Sequence, residues 1–318
     1  MPPPIWRQIQ KQNFNKLDQL ATFLEIDRSL LGSNSSFSLN LPVRLAEKIA
    51  KGTINDPLLR QFVPTQEENL VSIGYTPDPV SDTSFCKSDR LLQKYSGRAL
   101  LITSGACAMH CRYCFRQNFP YPQKKLFDEE LSMIREDETL QEVILSGGDP
   151  LSLSDDLLGA LLSSLDAVPH IKLIRFHTRF PMGIPERITA QFLDSLKKCD
   201  SQVVFVIHAN HPREFDPDVL DALRMIQRLG IPVLLQAILL KGVNSDLPTL
   251  KALFETCAYN GVIPYYLHQL DKVEGSSHFE VSDERGRELI QELRRVLPGY
   301  AVPRFVREVA GHLSKTPV

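Results

Sequence analysis

The feature that most constrains this chain is a spacing of about 30 residues between the ends of short apolar runs, at Ser146, His177, His208, Leu239 and His268. The runs cover 99–103, 142–146, 173–177, 203–208, 233–239 and 263–268, and are built mainly of Val, Ile, Leu and Phe. Their length and β-branched content suit buried strands. Between them lie amphipathic stretches of helix length at 129–136, 154–165, 185–197, 217–229 and 248–259, with another at 282–296 after the last run. One strand and one helix per ~30 residues is the βα unit, and its right-handed crossovers require a parallel sheet. Six units are too few for a closed eight-fold barrel, so the pattern predicts an α/β fold that is either an open, partial (β/α) barrel or a doubly wound sheet.

The ends of these runs are polar: Ser104, Ser146-Gly147-Gly148-Asp149, His177, His208, Gln236 and His268. In βα folds the C-terminal ends of the strands are where chemistry gathers, so this series marks one functional face. The first ~95 residues lack the pattern. They read as helices at 13–24 and 42–51 followed by a polar, proline-bearing stretch, a front region that packs on the main domain. A net charge of −2 gives no electrostatic reason to expect nucleic acid. The longest apolar stretch, 231–240, is interrupted by Pro232 and Gln236 and falls short of the ~20 residues of a membrane helix. With no apolar segment of signal-peptide type after Met1, the expectation is a cytoplasmic protein without membrane attachment.

Six cysteines in such a chain do not suggest a disulfide framework. Cys86, Cys199 and Cys257 stand alone, and for the last two a buried apolar role is the simplest reading. Cys107, Cys111 and Cys114 are different, because they form C-x3-C-x2-C in the loop after the first predicted strand. Three thiolates on one tight loop can converge on a small metal cluster. A structural zinc would want a fourth ligand, and none follows at a suitable interval. An iron–sulfur cube held by three thiolates leaves one iron open to a non-protein ligand.

This spacing, with Tyr113 between the second and third cysteines and the motif after a strand, resembles the radical S-adenosylmethionine superfamily. The resemblance implies a partial (β/α)6 barrel, a 4Fe-4S cluster on Cys107, Cys111 and Cys114, and S-adenosyl-L-methionine on the open iron. It also implies that Gly147, Gly148 and Asp149 meet the methionine amino group, with His208 and Gln236 contacting the same cofactor.

Over about residues 90–318 the chain is similar to lysine 2,3-aminomutases, in the segments 94–98, 111–116, 264–268 and 314–317. The likeness extends to the bacterial branch that makes β-lysine for elongation factor P, acting with a lysyl ligase. What the resemblance implies is an isomerase using pyridoxal 5′-phosphate, an external electron donor and lysine as substrate. Its Schiff-base residue corresponds to Lys315, and Lys94, Tyr95 and Arg98 correspond to phosphate-side contacts. Arg116 corresponds to the binder of the substrate carboxylate, and Asp271 and Glu308 to the acids that grip the ε-ammonium. Glu308 stands where the family often has the shorter Asp, and only Gly311 remains of the glycine-rich turn before the lysine. The implied division is a helical region at 1–95, a barrel at 96–275, and a C-terminal helix and arm at 276–318 that holds the last residues over the pocket.

Overall fold

The computed structural model describes residues 3–32, 37–123 and 126–318. Its strands are β1 (Leu91–Tyr95), β2 (Arg98–Ser104), β3 (Glu142–Gly147), β4 (Leu173–Thr178), β5 (Gln202–His208), β6 (Val233–Ile238), β7 (Val262–His268), β8 (Arg304–Arg307) and β9 (Thr316–Pro317). They form one sheet in which the spatial order is the chain order, β1 through β9. Strands β2 to β8 are parallel, and β1 and β9 are antiparallel additions at the two edges. A doubly wound sheet reverses its strand order at a switch point. No reversal occurs here, so the right-handed crossovers lie on one face and the sheet curls as an open, partial barrel.

The helices are α1 (Ile5–Gln10), α2 (Leu17–Leu24), α3 (Val43–Glu47), α4 (Pro57–Phe62), α5 (Asp128–Glu136), α6 (Asp155–Asp166), α7 (Phe180–Gly183), α8 (Ala190–Lys197), α9 (Pro217–Gln227), α10 (Leu247–Tyr259) and α11 (Asp283–Val296). Many begin where a short polar side chain accepts a backbone N–H: Ser154 for α6, Thr189 for α8, Asp216 for α9, Asp246 for α10 and Ser282 for α11. Outward-facing strand residues Val143, Leu145, Ile174, Phe176, Phe205, Ile207, Leu235 and Leu267 join the apolar helix faces in one core. Phe176 and Phe205 stack across β4 and β5 with centroids 4.7 Å apart. Alternation then turns Ser146, His177, His208, Gln236 and His268 to the concave side. Among the described residues no helix is long and apolar enough to cross a membrane.

The six periodic strands are present, each within a residue or so of its expected bounds. Three more were not expected. β1 falls inside the region read as strandless, and β8 and β9 are short. The expected helix at 185–197 is divided: Pro185–Arg187 forms a single 3-10 turn, and α8 starts only after Thr189 bonds the Phe192 N–H. The stretch 13–24 is helical only from Leu17, since Phe14 forms an isolated bridge to Leu41, and 42–51 is helical only as α3.

The two edge pairings position functional residues. Gly97, at φ +74°, lets β1 turn into β2 with Tyr95 paired to Arg98. At the other edge β9 returns on β8, pairing Arg307 with Thr316, which sets Glu308 beside Lys315. Helix α11 is pressed onto β8 at Gly286, where a Cβ would lie 2.3 Å from the Phe305 ring. Gly286→Ala should therefore destabilise the protein by about 1–3 kcal/mol, despite the better helix propensity of Ala. Urea denaturation measures it; unchanged stability would mean that the helix does not seat on Phe305.

Candidate active site

The concave face encloses a cavity of about 1120 Å³, more than the ~300–1,000 Å³ usual for one small ligand. Its lining includes Cys107, Cys111 and Cys114 and also Lys94, Tyr95, Arg98, Arg116, Asp271, Glu308 and Lys315. Residues more than two hundred positions apart in sequence thus face one space. Leu100, Ile144 and Ile238 supply apolar wall between the polar groups.

The cysteine loop is seated directly on the end of β3. Gly148 N–H donates to the Ser104 carbonyl at 2.6 Å and Asp149 N–H to that of Ala106 at 2.8 Å. A Cβ on Gly148 would stand 2.5 Å from the Ala106 oxygen, and one on Gly147 (φ +119°) 2.6 Å from that of Ser104. The glycines are therefore needed for contact with the chain's own backbone, a reason the sequence did not reveal. Asp149 is buried, and its carboxylate accepts from Thr178 Oγ1 and from the N–H groups of Leu151, Arg179 and Phe180. Burial still pushes its pKa up to about 6 against those bonds. Protein donors take up this carboxylate, so its direct role is to fix the turn after β4.

Three thiols on one loop, all lining one cavity, form a donor set that suits an iron–sulfur cluster. Burial pushes the Cys107 thiol well up and that of Cys114 to about 12, so a metal that binds them must displace protons. Among the described residues no three Cys, His, Asp or Glu side chains stand close enough to share a single ion. Tyr113 is buried behind the loop, 3.2 Å from His208 Nε2. His208, His177 and His268 are all pushed well below the ordinary histidine range by burial, and so are neutral at pH 7. His177 Nε2 is buried and has no hydrogen-bond partner among the described residues, and Gln236 lines the same wall.

Away from the thiols lies a chain of paired charges. Arg116 Nε donates to Asp82 Oδ2 at 2.6 Å, and Lys94 Nζ meets Asp82 Oδ1 at 2.7 Å. Burial raises the Asp82 pKa, but Arg116 and Lys94 outweigh it and hold the carboxyl below the usual range. Lys94 Nζ also stands 3.9 Å from Glu308, whose other contacts are the Tyr95 hydroxyl at 2.7 Å and the Lys315 ammonium. Arg98 lies over the Tyr95 ring with its Cζ 5.1 Å from the centroid. Asp271 is pushed up to about 7, by burial first and with Glu308 adding repulsion, while Lys315 opposes both. All the expected binding residues thus reach the cavity. In this arrangement, however, Lys94 and Arg116 are engaged by Asp82 and not free for a ligand.

Asp82 was missed because it lies in the aperiodic stretch 55–89, in the one-turn 3-10 helix Asp82–Phe85. Arg179 was missed too, although a charged residue two positions past a strand-end histidine was a legible signal. Its guanidinium contacts Cys111, Tyr113, Gln61 and Glu214.

A sequence profile of the Radical SAM superfamily matches residues 101–252. The chain is 40% identical over 310 residues to the L-lysine 2,3-aminomutase of Escherichia coli, covering 95% of this chain and 90% of that one. It is 39% identical over 290 residues to the enzyme of that name from Haemophilus influenzae, with 90% and 86% covered. The L-lysine 2,3-aminomutase of Clostridium subterminale is 33% identical over 270 residues, with 83% of this chain and 64% of that one covered.

The raised pKa of Asp271 has a consequence for stability. Between about pH 4 and pH 7 the unfolded chain has released the Asp271 proton while the folded chain keeps it, so its contribution to stability falls as pH rises through that window. Asp271→Asn does not titrate. The variant should therefore gain about 2 kcal/mol relative to the parent between pH 5 and pH 8, read from denaturant midpoints. A difference that is flat with pH would mean Asp271 ionises as an ordinary carboxylate.

Proposed function

This chain belongs to the L-lysine 2,3-aminomutase family of radical SAM isomerases, and from that premise we propose that it moves the α-amino group of L-lysine to C3, yielding β-lysine. The observation that carries the substrate assignment is the pair of half-buried acids, Asp271 and Glu308, in the same cavity as the cysteine loop and the Arg116 guanidinium. A lysine molecule has a carboxylate at one end and an ammonium at the other, and the cavity offers a cation and two acids to receive them. A glutamate side chain would be repelled by the Glu308 carboxylate.

Cys107, Cys111 and Cys114 would hold a 4Fe-4S cluster, the 147–149 segment with His208 and Gln236 would line the place of S-adenosyl-L-methionine, and Tyr95, Arg98 and Lys94 would face the phosphate of pyridoxal 5′-phosphate. When bound, these groups supply a hydrogen-abstracting radical and an aldehyde that holds the migrating nitrogen. The chain's own work is placement. Arg116 exchanges Asp82 for the substrate carboxylate, which its planar fork matches. Glu308 exchanges Lys315 for the substrate ammonium, and Lys315 is the amine that holds the aldehyde between turnovers. Tyr95 keeps Glu308 oriented throughout by its hydroxyl bond. The neutral histidines and the apolar wall of Leu100, Ile144 and Ile238 limit the water that a reactive radical could meet.

We propose further that the enzyme is cytoplasmic, takes electrons from an external donor, and makes β-lysine for elongation factor P and its lysyl ligase. Support for that destination is the likeness of segments 94–98, 111–116, 264–268 and 314–317 to the branch with that role.

Anaerobic protein reconstituted with iron, sulfide and pyridoxal phosphate, given lysine, S-adenosyl-L-methionine and reductant, should form an isomer of unchanged mass and altered chromatographic retention. A fully loaded protein that cleaves S-adenosyl-L-methionine but returns lysine unaltered would refute the assignment. Lys315→Ala should lose the visible band of protein-bound pyridoxal phosphate and reduce turnover by at least about a thousandfold with iron content unchanged. A persisting band would place the attachment elsewhere.

A further inference from the structure

Arg179 has no part in the substrate chemistry above, yet it is among the most tightly held side chains of the molecule. It stands between β4 and α7, where its backbone N–H is fixed by Asp149 Oδ2 at 2.8 Å. Its side chain runs beneath the cysteine loop and is only 7% exposed. Nη2 donates to Gln61 Oε1 at 2.7 Å and to Glu214 Oε2 at 2.6 Å. Nη1 donates to the Tyr113 hydroxyl and to Cys111 Sγ, the latter at 2.9 Å. Phe62 closes one face, with the Arg179 Cζ 4.6 Å from its ring centroid.

Glu214 is itself immobilised. It is fully buried, and its Oε1 accepts from the N–H groups of Asn210 at 2.8 Å and His211 at 3.1 Å. A buried ion pair is a poor source of stability compared with apolar packing, so its presence calls for another reason. The geometry supplies one. Glu214 and Gln61 hold one edge of the guanidinium, and the other edge is aimed at a sulfur.

We propose that Arg179 is a positioning residue for electron transfer, setting the reduction potential of the cluster through an N–H to sulfur hydrogen bond to Cys111. The proposal rests on the reading that Cys107, Cys111 and Cys114 hold that cluster. The step concerned is the transfer of one electron from an external low-potential donor, which is oxidised as the cluster is reduced; no bond is made or broken and no proton moves. Reduction adds negative charge to the cluster sulfurs, so a charged donor on Cys111 stabilises the reduced form more than the oxidised form and raises the potential. Glu214 offsets the distant field of the cation and leaves the local bond as the main effect.

The test is potentiometric titration of the reconstituted protein, following the reduced cluster by electron paramagnetic resonance at matched iron and sulfide content. Arg179→Gln should lower the midpoint by at least about 59 mV, a tenfold fall in the reduced-to-oxidised ratio for a one-electron couple. Arg179→Lys should fall between it and the parent. A midpoint that is unchanged or higher in both overturns the proposal. Independent of any substitution, parent protein labelled with guanidino-15N arginine should show a 15N hyperfine coupling to the reduced cluster, and this coupling should be lost in Arg179→Lys. A loaded parent protein without the coupling overturns the Arg179 assignment alone. A parent protein that takes up no iron and sulfide overturns the cluster reading, and the assignment with it.

Discussion

The molecule depends on an unbroken order of strands. Seven parallel strands laid side by side in chain sequence, with every crossover on one face, leave the opposite face without helices to cover it. In a closed eight-strand barrel that inner face would be filled by layers of large apolar side chains. Here the sheet stays open and its inner residues include Ser146, Arg175, His177, His208, Gln236 and His268. Polar groups of this kind are costly to bury unless something pairs with them. Among the described residues Nε2 of His177 has no such partner. Both the large cavity and its demand for bound partners thus follow from one topological fact.

The charges in that cavity obey the same logic. An isolated guanidinium or carboxylate at this depth would be strongly penalised, and removing one member of a buried pair commonly costs 3–5 kcal/mol. The chain avoids this by pairing Asp82 with Arg116 and Lys94, and Glu308 with Lys315 and Tyr95. On the proposed reading each internal partner carries the same sign as the substrate group that would replace it. Asp82 stands for the substrate carboxylate and Lys315 for its ammonium. Binding would then exchange one buried pair for another without creating uncompensated charge, and a ligand lacking either end would leave a pair unexchanged. On that reading, selectivity for a molecule charged at both ends would follow from the exchange.

What was legible in the sequence, and what was not, divides along physical lines. β2 to β7 were readable because a buried parallel strand must be apolar along its length and each βα unit repeats the pattern. β1 has the polar half Gln93-Lys94-Tyr95, and β8 alternates Arg304 and Arg307 with Phe305-Val306, so neither carries that signal. The cysteine loop was legible because metal ligands need fixed spacing. Lys315 and Glu308 were legible only through family likeness, for nothing local distinguishes them from a solvated tail. Asp82, Gln61 and Glu214 left no local trace, since their roles consist of contacts across 34 to 153 positions of sequence. Gly148 carries a further, internal constraint. The resemblance gives it a backbone role toward a cofactor, and the structure adds that a side chain here would strike the backbone of Ala106.

The front of the chain, opaque in sequence, has a role that follows from the cysteine loop itself. A loop that curls to present three thiols to one point cannot be helix or strand, so its backbone N–H and C=O groups lack ladder partners. The front region supplies them. Asn40 Nδ2 and Gln10 Nε2 donate to the Cys107 carbonyl at 3.2 and 3.3 Å, and Asn13 Nδ2 to that of Ala108 at 2.8 Å. The Asn40 carbonyl accepts the His110 N–H at 2.9 Å, and the Gln61 carbonyl the Arg112 N–H at 2.8 Å. Phe37 stacks on His110 and Glu68 pairs with Arg112. Each bond is worth only about 0.5–1.5 kcal/mol net, but leaving its buried partner unmade costs about 1–3 kcal/mol, and the contacts act on a segment of six residues. The loop's shape is therefore not encoded in C-x3-C-x2-C alone. It is imposed by a helical front that binds the loop's backbone, which is why that front can lack any motif of its own and still decide where the thiols point.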